Sequence, residues 1–134
     1  MPLVAKVKGY LLDTTAIIDL LRGNHQLRTT IQQWIEEGLP VTYCPISVCE
    51  VYEGMRENES EATGEFFAGF ECDAINHEHG RLAGVWVSEY RKKGITVSRL
   101  DALVAAVAHL NGRALVTANV KDFPMLEGGE LYQH

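Results

Sequence analysis

One stretch constrains the chain more than any other: Gly9-Tyr10-Leu11-Leu12-Asp13-Thr14-Thr15-Ala16-Ile17-Ile18-Asp19-Leu20-Leu21. Apolar residues run without alternation into Asp13, the mark of a short strand buried on both faces. Thr14 and Thr15 offer hydroxyl caps ahead of Ala16–Leu21, whose spacing predicts a helix packed back onto that strand. A carboxylate then stands at the carboxyl end of a buried strand, beside a helix N-terminus. In open α/β sheets that edge is where ligands bind. Asp13 also has a plainer explanation, as a helix cap and nothing more.

The later segments repeat the alternation of strand and helix. After the Gly23-Asn24 break, Leu27, Ile31, Trp34 and Ile35 fall at helical spacing, predicting an amphipathic helix over His25–Glu37 that Gly38 and Pro40 end. Trp34 in such a stripe reads as core before it reads as a base-stacking platform. Val41–Cys44 predicts a second buried strand closed by Pro45. Ser47 with Glu50 three residues on has the S-x-x-E pattern of a capping box, opening a helix through Met55 that dissolves in the polar run Arg56–Glu61. Glu65–Phe70 predicts a short helix, Cys72–Ile75 a weak third strand, and His77–Lys93 a longer helix stopped by Gly94. The basic end of that helix, Arg91-Lys92-Lys93, suits a helix C-terminus and reads as a solvated face. Leu100–Leu110 is apolar nearly all round and predicts a buried helix with Asp101 in its first turn. Ala114–Thr117 predicts a fourth buried strand, followed by the polar turn Asn119–Asp122 and an anchor at Phe123. Glu130–Tyr132 predicts a short last strand. The fold class expected is α/β, a single three-layer α/β/α domain over residues 1–134 with a central parallel sheet and a lead-in at 1–8.

Bulk properties narrow the function classes. An apolar fraction of 46% with 22% charged residues is that of a folded globular chain. No apolar run reaches the roughly 18 residues of a membrane span, and the first residues lack the long apolar core of a signal peptide. Cys44, Cys49 and Cys72 have no C-x-x-C spacing and read as reduced, mostly buried thiols of a cytoplasmic protein rather than a metal cluster. The net charge of −6 argues against a broad basic nucleic-acid surface. It leaves room for a nucleic-acid enzyme, because acids gathered in one pocket bind cations that in turn receive phosphates.

Five side chains can reach one carboxyl-terminal sheet edge: Asp13 after the first strand, Glu50 one turn into the helix after the second, Asp101 at the start of the buried helix, and Asn119 and Asp122 after the fourth strand. Converging carboxylates repel unless a cation holds them. Hard oxygen donors without a histidine cluster favour Mg2+ or Mn2+ over zinc. Thr117, at the end of the fourth strand, is placed to orient a water or a phosphate, or simply to make the turn. Asp19 with Arg22 three residues on reads as an ion pair on the first helix.

Four blocks carry a family resemblance: Tyr10-Leu11-Leu12-Asp13-Thr14, Ser47-Val48-Cys49-Glu50-Val51-Tyr52-Glu53-Gly54, Asp101-Ala102-Leu103-Val104-Ala105-Ala106 and Leu115-Val116-Thr117-Ala118-Asn119-Val120-Lys121-Asp122-Phe123. In this order, over roughly residues 9–134, they resemble the PIN domain, and more closely the VapC-type toxins of toxin–antitoxin pairs. The resemblance implies a metal-dependent endoribonuclease of RNA, with the family's first Asp on Asp13, its helix Glu on Glu50 and its central Asp on Asp101. It also implies homodimers and a cognate VapB-type antitoxin that inserts a segment into the acidic groove. The acid often found directly after the fourth strand is here Asn119, and Asp122 is the nearest acid to it.

Two rivals share the architecture. A phospho-acceptor receiver would want adjacent acids after the first strand and a lysine after the last main one, whereas here Asp13 is single and Lys121 lies in a turn. A binding module whose acids only cap helices is the other.

Overall fold

The computed structural model describes residues 7–134. The expected lead-in over residues 1–8 thus falls largely outside the described residues; at its end the Lys8 N–H donates to the Gly112 carbonyl (2.7 Å). The first strand, β1 (Tyr10–Leu12), sits at the centre of a five-stranded parallel sheet. Beside it lie β2 (Val41–Tyr43) on one side and β4 (Ala114–Thr117) on the other. The edges are β3 (Glu71–Cys72) and β5 (Leu131–Gln133), giving the order β3-β2-β1-β4-β5.

Alternation along the central strands sends their side chains into two cores. Leu11 and Leu115 join a cluster with Ala83, Val97, Val104, Val107 and Phe123. Leu12 and Val116, one residue on, join the opposite cluster with Ile17, Leu27, Ile31, Trp34, Val51 and Phe67. The first cluster is roofed by α5 (His77–Lys92) and α6 (Arg99–Leu110). The second is covered by α1 (Thr14–Leu21), α2 (His25–Glu36), α3 (Pro45–Gly54) and α4 (Ser60–Ala68). Two helical layers therefore enclose one parallel sheet, and a strand buried on both faces must be apolar throughout.

Several local expectations are corrected. Pro45 does not merely close the second strand. It occupies the first turn of α3, where a missing N–H costs nothing, so Cys44 is the cap and the expected Ser47–Glu50 capping box does not form. α3 does end before the polar run 56–61, but that run is not loop: a 3-10 turn over Glu57–Glu59 leads directly into α4, five residues earlier than the apolar pattern indicates. Ile35 stands exposed at the edge of the α2 stripe, while Leu27, Ile31 and Trp34 are buried. Trp34 is core, stacked on Tyr10 with ring centroids 3.5 Å apart and planes 4° from parallel. The third strand is shorter and earlier than expected, with both its residues exposed at the sheet edge. Of the three free thiols only Cys44 is buried; Cys49 and Cys72 are exposed. Burial pushes the Cys44 thiol up to about 11, which keeps it protonated and inert.

Candidate active site

The chain reverses direction across the sheet at β1: β2 and β3 extend to one side of it, β4 and β5 to the other. Such a switch point opens a crevice at the carboxyl ends of β1 and β4. Asp13 follows β1 directly and is 6% exposed. Its backbone N–H donates to the Val116 carbonyl (3.1 Å), extending the ladder by one residue and fixing where its side chain begins.

The cap of α1 is Asp13 itself, not either threonine. Its Oδ1 accepts from the Ala16 N–H at 2.9 Å and from the Thr15 hydroxyl at 2.6 Å. The two threonines lie in the first helical turn and point apart. The Thr14 hydroxyl donates to Glu50 Oε1 (2.7 Å) on α3 and lies 3.3 Å from the buried Ser47 hydroxyl. The Thr15 hydroxyl, besides bonding Asp13, accepts the Ala118 N–H from the end of β4 (3.0 Å). Capping and site-building are thus one arrangement: the helix end that Asp13 satisfies also orients its carboxylate.

Burial pushes the Asp13 carboxyl above its ordinary value. Hydrogen bonds from Thr117, Thr15 and the Ala16 N–H and the charge of His134 work against that push without cancelling it. Thr117 is fully buried, lies close enough to Asp13 to favour its ionised form, and accepts the Asn119 N–H at 2.9 Å. The fourth strand therefore contributes a hydroxyl to the same carboxylate.

Asp101 lies in the first turn of α6, whose cap is Ser98; the Ser98 hydroxyl accepts the Asp101 N–H at 3.0 Å. Its carboxyl is also raised, by burial first. The Ser98 bond opposes this, and the charges of Asp122, Glu50 and Asp13 add to it. Four acids thus share the crevice: Asp13 and Asp101 from two helix starts, Glu50 from the middle of α3, and Asp122 from a 3-10 turn (Val120–Asp122), the other three all acting on Asp101. Asn119 stands exposed at the mouth, just before that turn, and Phe123 behind it is buried. Among the described residues no three His, Cys, Asp or Glu side chains gather closely enough around one point to hold a metal ion. The acids border the crevice without meeting in it.

Three features of the site are not indicated by the acidic motifs. The Thr14-Thr15 pair wires Glu50 and Asp13 to the ends of α1 and β4, and two hydroxyls directly after a strand-end acid are its only sequence signal. Ser47 is buried against Thr14 rather than capping. Asp19 does not pair with Arg22: its Oδ2 lies 3.1 Å from Nδ1 of His134, which follows β5. Lys121 is exposed in the 3-10 turn.

Comparison with known proteins agrees with this arrangement. The PIN domain family model matches residues 10–126. The chain is 30% identical over 115 residues to ribonuclease VapC19 of Mycobacterium tuberculosis, covering 86% of this chain and 92% of that one. It is 30% identical over 117 residues to ribonuclease VapC10 of the same organism, covering 87% of each. Among solved structures, DNA-bound VapBC from Salmonella typhimurium superposes with a TM-score of 0.81 at 18% identity, covering 93% of this chain and 97% of that one. VapBC2 of Rickettsia felis bound to a promoter DNA fragment gives 0.77 at 17% identity, covering 93% and 96%. At those identities the structures speak to the fold; the family model and the ribonuclease relatives speak to descent. This chain belongs to the PIN domain family, in its VapC branch.

Proposed function

We propose that this protein is a divalent-cation-dependent endoribonuclease, the toxin of a type II toxin–antitoxin pair, working in the cytoplasm. The observation that carries this reading is Asp101, whose carboxyl is pushed up by burial and by three neighbouring acids at the switch point of the sheet. Capping α1 accounts for Asp13 but not for three further acids beside it, and a cation removes their repulsion.

The donor set suits Mg2+ or Mn2+: Asp13, Glu50, Asp101 and Asp122 offer carboxylate oxygens and Asn119 an amide oxygen. Acids that border the crevice without converging suit Mg2+ in particular, which is commonly held by one or two carboxylates and otherwise keeps its waters. Asp13 and Asp101 would hold it directly, with Glu50, Asn119 and Asp122 acting through water. Such an ion supplies an activated water and offsets charge on the leaving 3′ oxygen of a phosphodiester.

The chain's own groups do the rest. Asp13 presents a carboxylate whose rotation is fixed by Thr15, Thr117 and the start of α1. Glu50 is exposed and steadied only by Thr14, so it can accept a proton from water and release it. Thr117 orients Asp13 and the turn carrying Asn119 and Asp122, in keeping with a positioning role.

Relatives supply the partners. The ribonuclease relatives point to RNA as substrate, and the VapBC complexes to an antitoxin; one further structural relative is a toxin–antitoxin complex from Klebsiella pneumoniae, with a TM-score of 0.72 at 24% identity. An arginine of a VapB-type antitoxin would pair bidentately with the crevice carboxylates and compete with the cation. A homodimer is the expected assembly.

Purified protein with Mg2+ or Mn2+ should cut a folded RNA, and EDTA should stop it. Asp13→Asn should lower the rate at least about a hundredfold with the fold retained by circular dichroism, since an amide is a poor ligand for a hard dication. Undiminished cleavage by folded Asp13→Asn protein would overturn the proposal.

A further inference from the structure

His134 follows the edge strand β5, yet its side chain is turned inward and only 5% exposed. Its backbone N–H donates to the Thr117 carbonyl (3.2 Å), carrying the β4–β5 ladder one residue past the strand. The ring then lies between two groups of α1. Nε2 is 3.3 Å from the Thr15 hydroxyl and Nδ1 is 3.1 Å from Asp19 Oδ2. The contact to Asp19 meets the distance of an ion pair but not the direction of a hydrogen bond, and Nδ1 is a buried polar atom with no hydrogen-bond partner. Buried unpartnered atoms are uncommon and ask for a reason.

The orphaned Nδ1 marks a ring held from its other side, and the valences of Thr15 show how. A hydroxyl has a single hydrogen and two lone pairs. An ionised carboxylate only accepts, so the hydrogen goes to Asp13 Oδ1 at 2.6 Å. The Ala118 N–H takes one lone pair. The remaining lone pair faces His134 Nε2, which fills it by donating. With both lone pairs occupied, the hydroxyl cannot rotate its hydrogen away from Asp13. Strand β5, on the far side of β4 from β1, thereby controls the direction of a carboxylate at the end of β1.

We propose that His134 is a positioning residue for the reaction: seated against Asp19 on one side, it holds the Thr15 hydroxyl in the one orientation that commits its hydrogen to Asp13. This rests on the ribonuclease reading for its kinetic consequence, but not for its structural one. It assigns the inward Asp19–His134–Thr15 line, which has no part in the hydrophobic cores, to the alignment of the site.

The test uses two ring replacements in the full chain. His134→Phe keeps the volume and packing but removes the donor; His134→Gln puts an amide N–H where Nε2 stood. His134→Phe should lower kcat about tenfold with KM little changed, and His134→Gln should recover most of the loss. In a Thr15→Val background, His134→Phe should cost nothing further, because the group it acts through is gone. Wild-type kcat in folded His134→Phe protein, or the same loss with and without Thr15, overturns the proposal. Amide hydrogen exchange of metal-free protein gives a readout independent of catalysis. His134→Phe should speed exchange at Ala16 and Ala118 while Leu115 in the sheet centre is unchanged, and unaltered exchange at both sites overturns the proposal. If wild-type protein cuts no RNA, the ribonuclease reading fails, and the exchange result alone then decides the role of His134.

Discussion

Asp101 and Asp13 are acids that the fold would rather keep neutral, and that has a measurable consequence. Both carboxyls lie above the ordinary value of 3.8 because of burial, Asp101 with added repulsion from its neighbours. A carboxyl raised in the folded state contributes stability that is present below 3.8 and lost as pH rises through the raised folded value. Metal-free protein should therefore be more stable as Asp101→Asn than as wild type at neutral pH, a rise in melting temperature kept small by solvent screening of this half-exposed group. The difference should vanish near pH 3, where both chains are neutral at this position, and saturating Mg2+ should stabilise only the wild type; thermal melts at the two pH values check it. Stabilisation on removing an acid is the usual mark of a site built for a ligand rather than for the fold. The residues after β4 allow a second comparison. Asn119 offers an amide oxygen without charge at the mouth, and Asp122 an exposed carboxylate three residues on. If Asp13 and Asp101 are the direct ligands, Asn119→Asp should tighten Mg2+ binding, while Asp122→Asn should weaken it only a few-fold, as a group acting through water would. Calorimetric titration measures both, and a complete loss of binding in Asp122→Asn would make Asp122 a direct ligand instead.

At the level of elements, two tight joints hold the switch point open in the right place. The first is the entry to β1. Gly9 has φ +145, and a Cβ there would stand 2.6 Å from the Pro40 carbonyl oxygen and 2.8 Å from its Cγ. Only glycine allows the chain to pass the end of α2 and begin pairing with β2 one residue later. Gly9→Ala should cost about 3 kcal/mol and be read as a lower urea midpoint with an unchanged slope. The second joint ties the start of β4 to the region after β3. Arg113 donates from Nε to Asp73 Oδ2 (3.1 Å) and from Nη2 to Oδ1 (3.2 Å), while the Thr42 hydroxyl donates to Oδ2 (2.7 Å). Burial pushes the Asp73 carboxyl up, and the Arg113 and Thr42 bonds overcome it and hold the group below its ordinary value. The sign is opposite to that of Asp101: this stability is present above 3.8 and lost as pH falls through the depressed value. Asp73→Ala should cost roughly 2 kcal/mol at neutral pH, since the half-buried Arg113 loses its carboxylate and keeps only the Lys8 carbonyl. The loss should shrink in acid, where the wild type gives up the same interaction; denaturant melts at two pH values test this.

For the whole molecule, one ladder of five parallel strands with apolar clusters on both faces predicts a single cooperative unfolding step, so circular dichroism and tryptophan fluorescence should give coincident transitions. Much of the architecture was legible in the residues. Unbroken apolar runs such as Tyr10–Leu12 and Ala114–Val116 have no polar face, so only a sheet covered on both sides can hold them. The all-round apolar stretch 102–108 likewise has to be a buried helix. The acids at strand and helix ends were legible for the same reason: in a parallel sheet, whatever follows each strand arrives at one edge. Element starts within polar sequence were not. Pro45 and Ser60 begin helices where the local signals point to a strand end and to loop, because a proline fits a first turn as well as a stop, and a surface helix such as the start of α4 needs no apolar stripe. Nor could sequence join Thr15 to His134 across 119 positions, or set Asp19 against His134 rather than Arg22. Local spacing decides what a residue can do along its own helix or strand, whereas hydrogen-bond partners across the sheet depend on strand order. That order was decided by the packing of two helical layers, which set β5 beside β4 and turned His134 inward toward the start of the first helix.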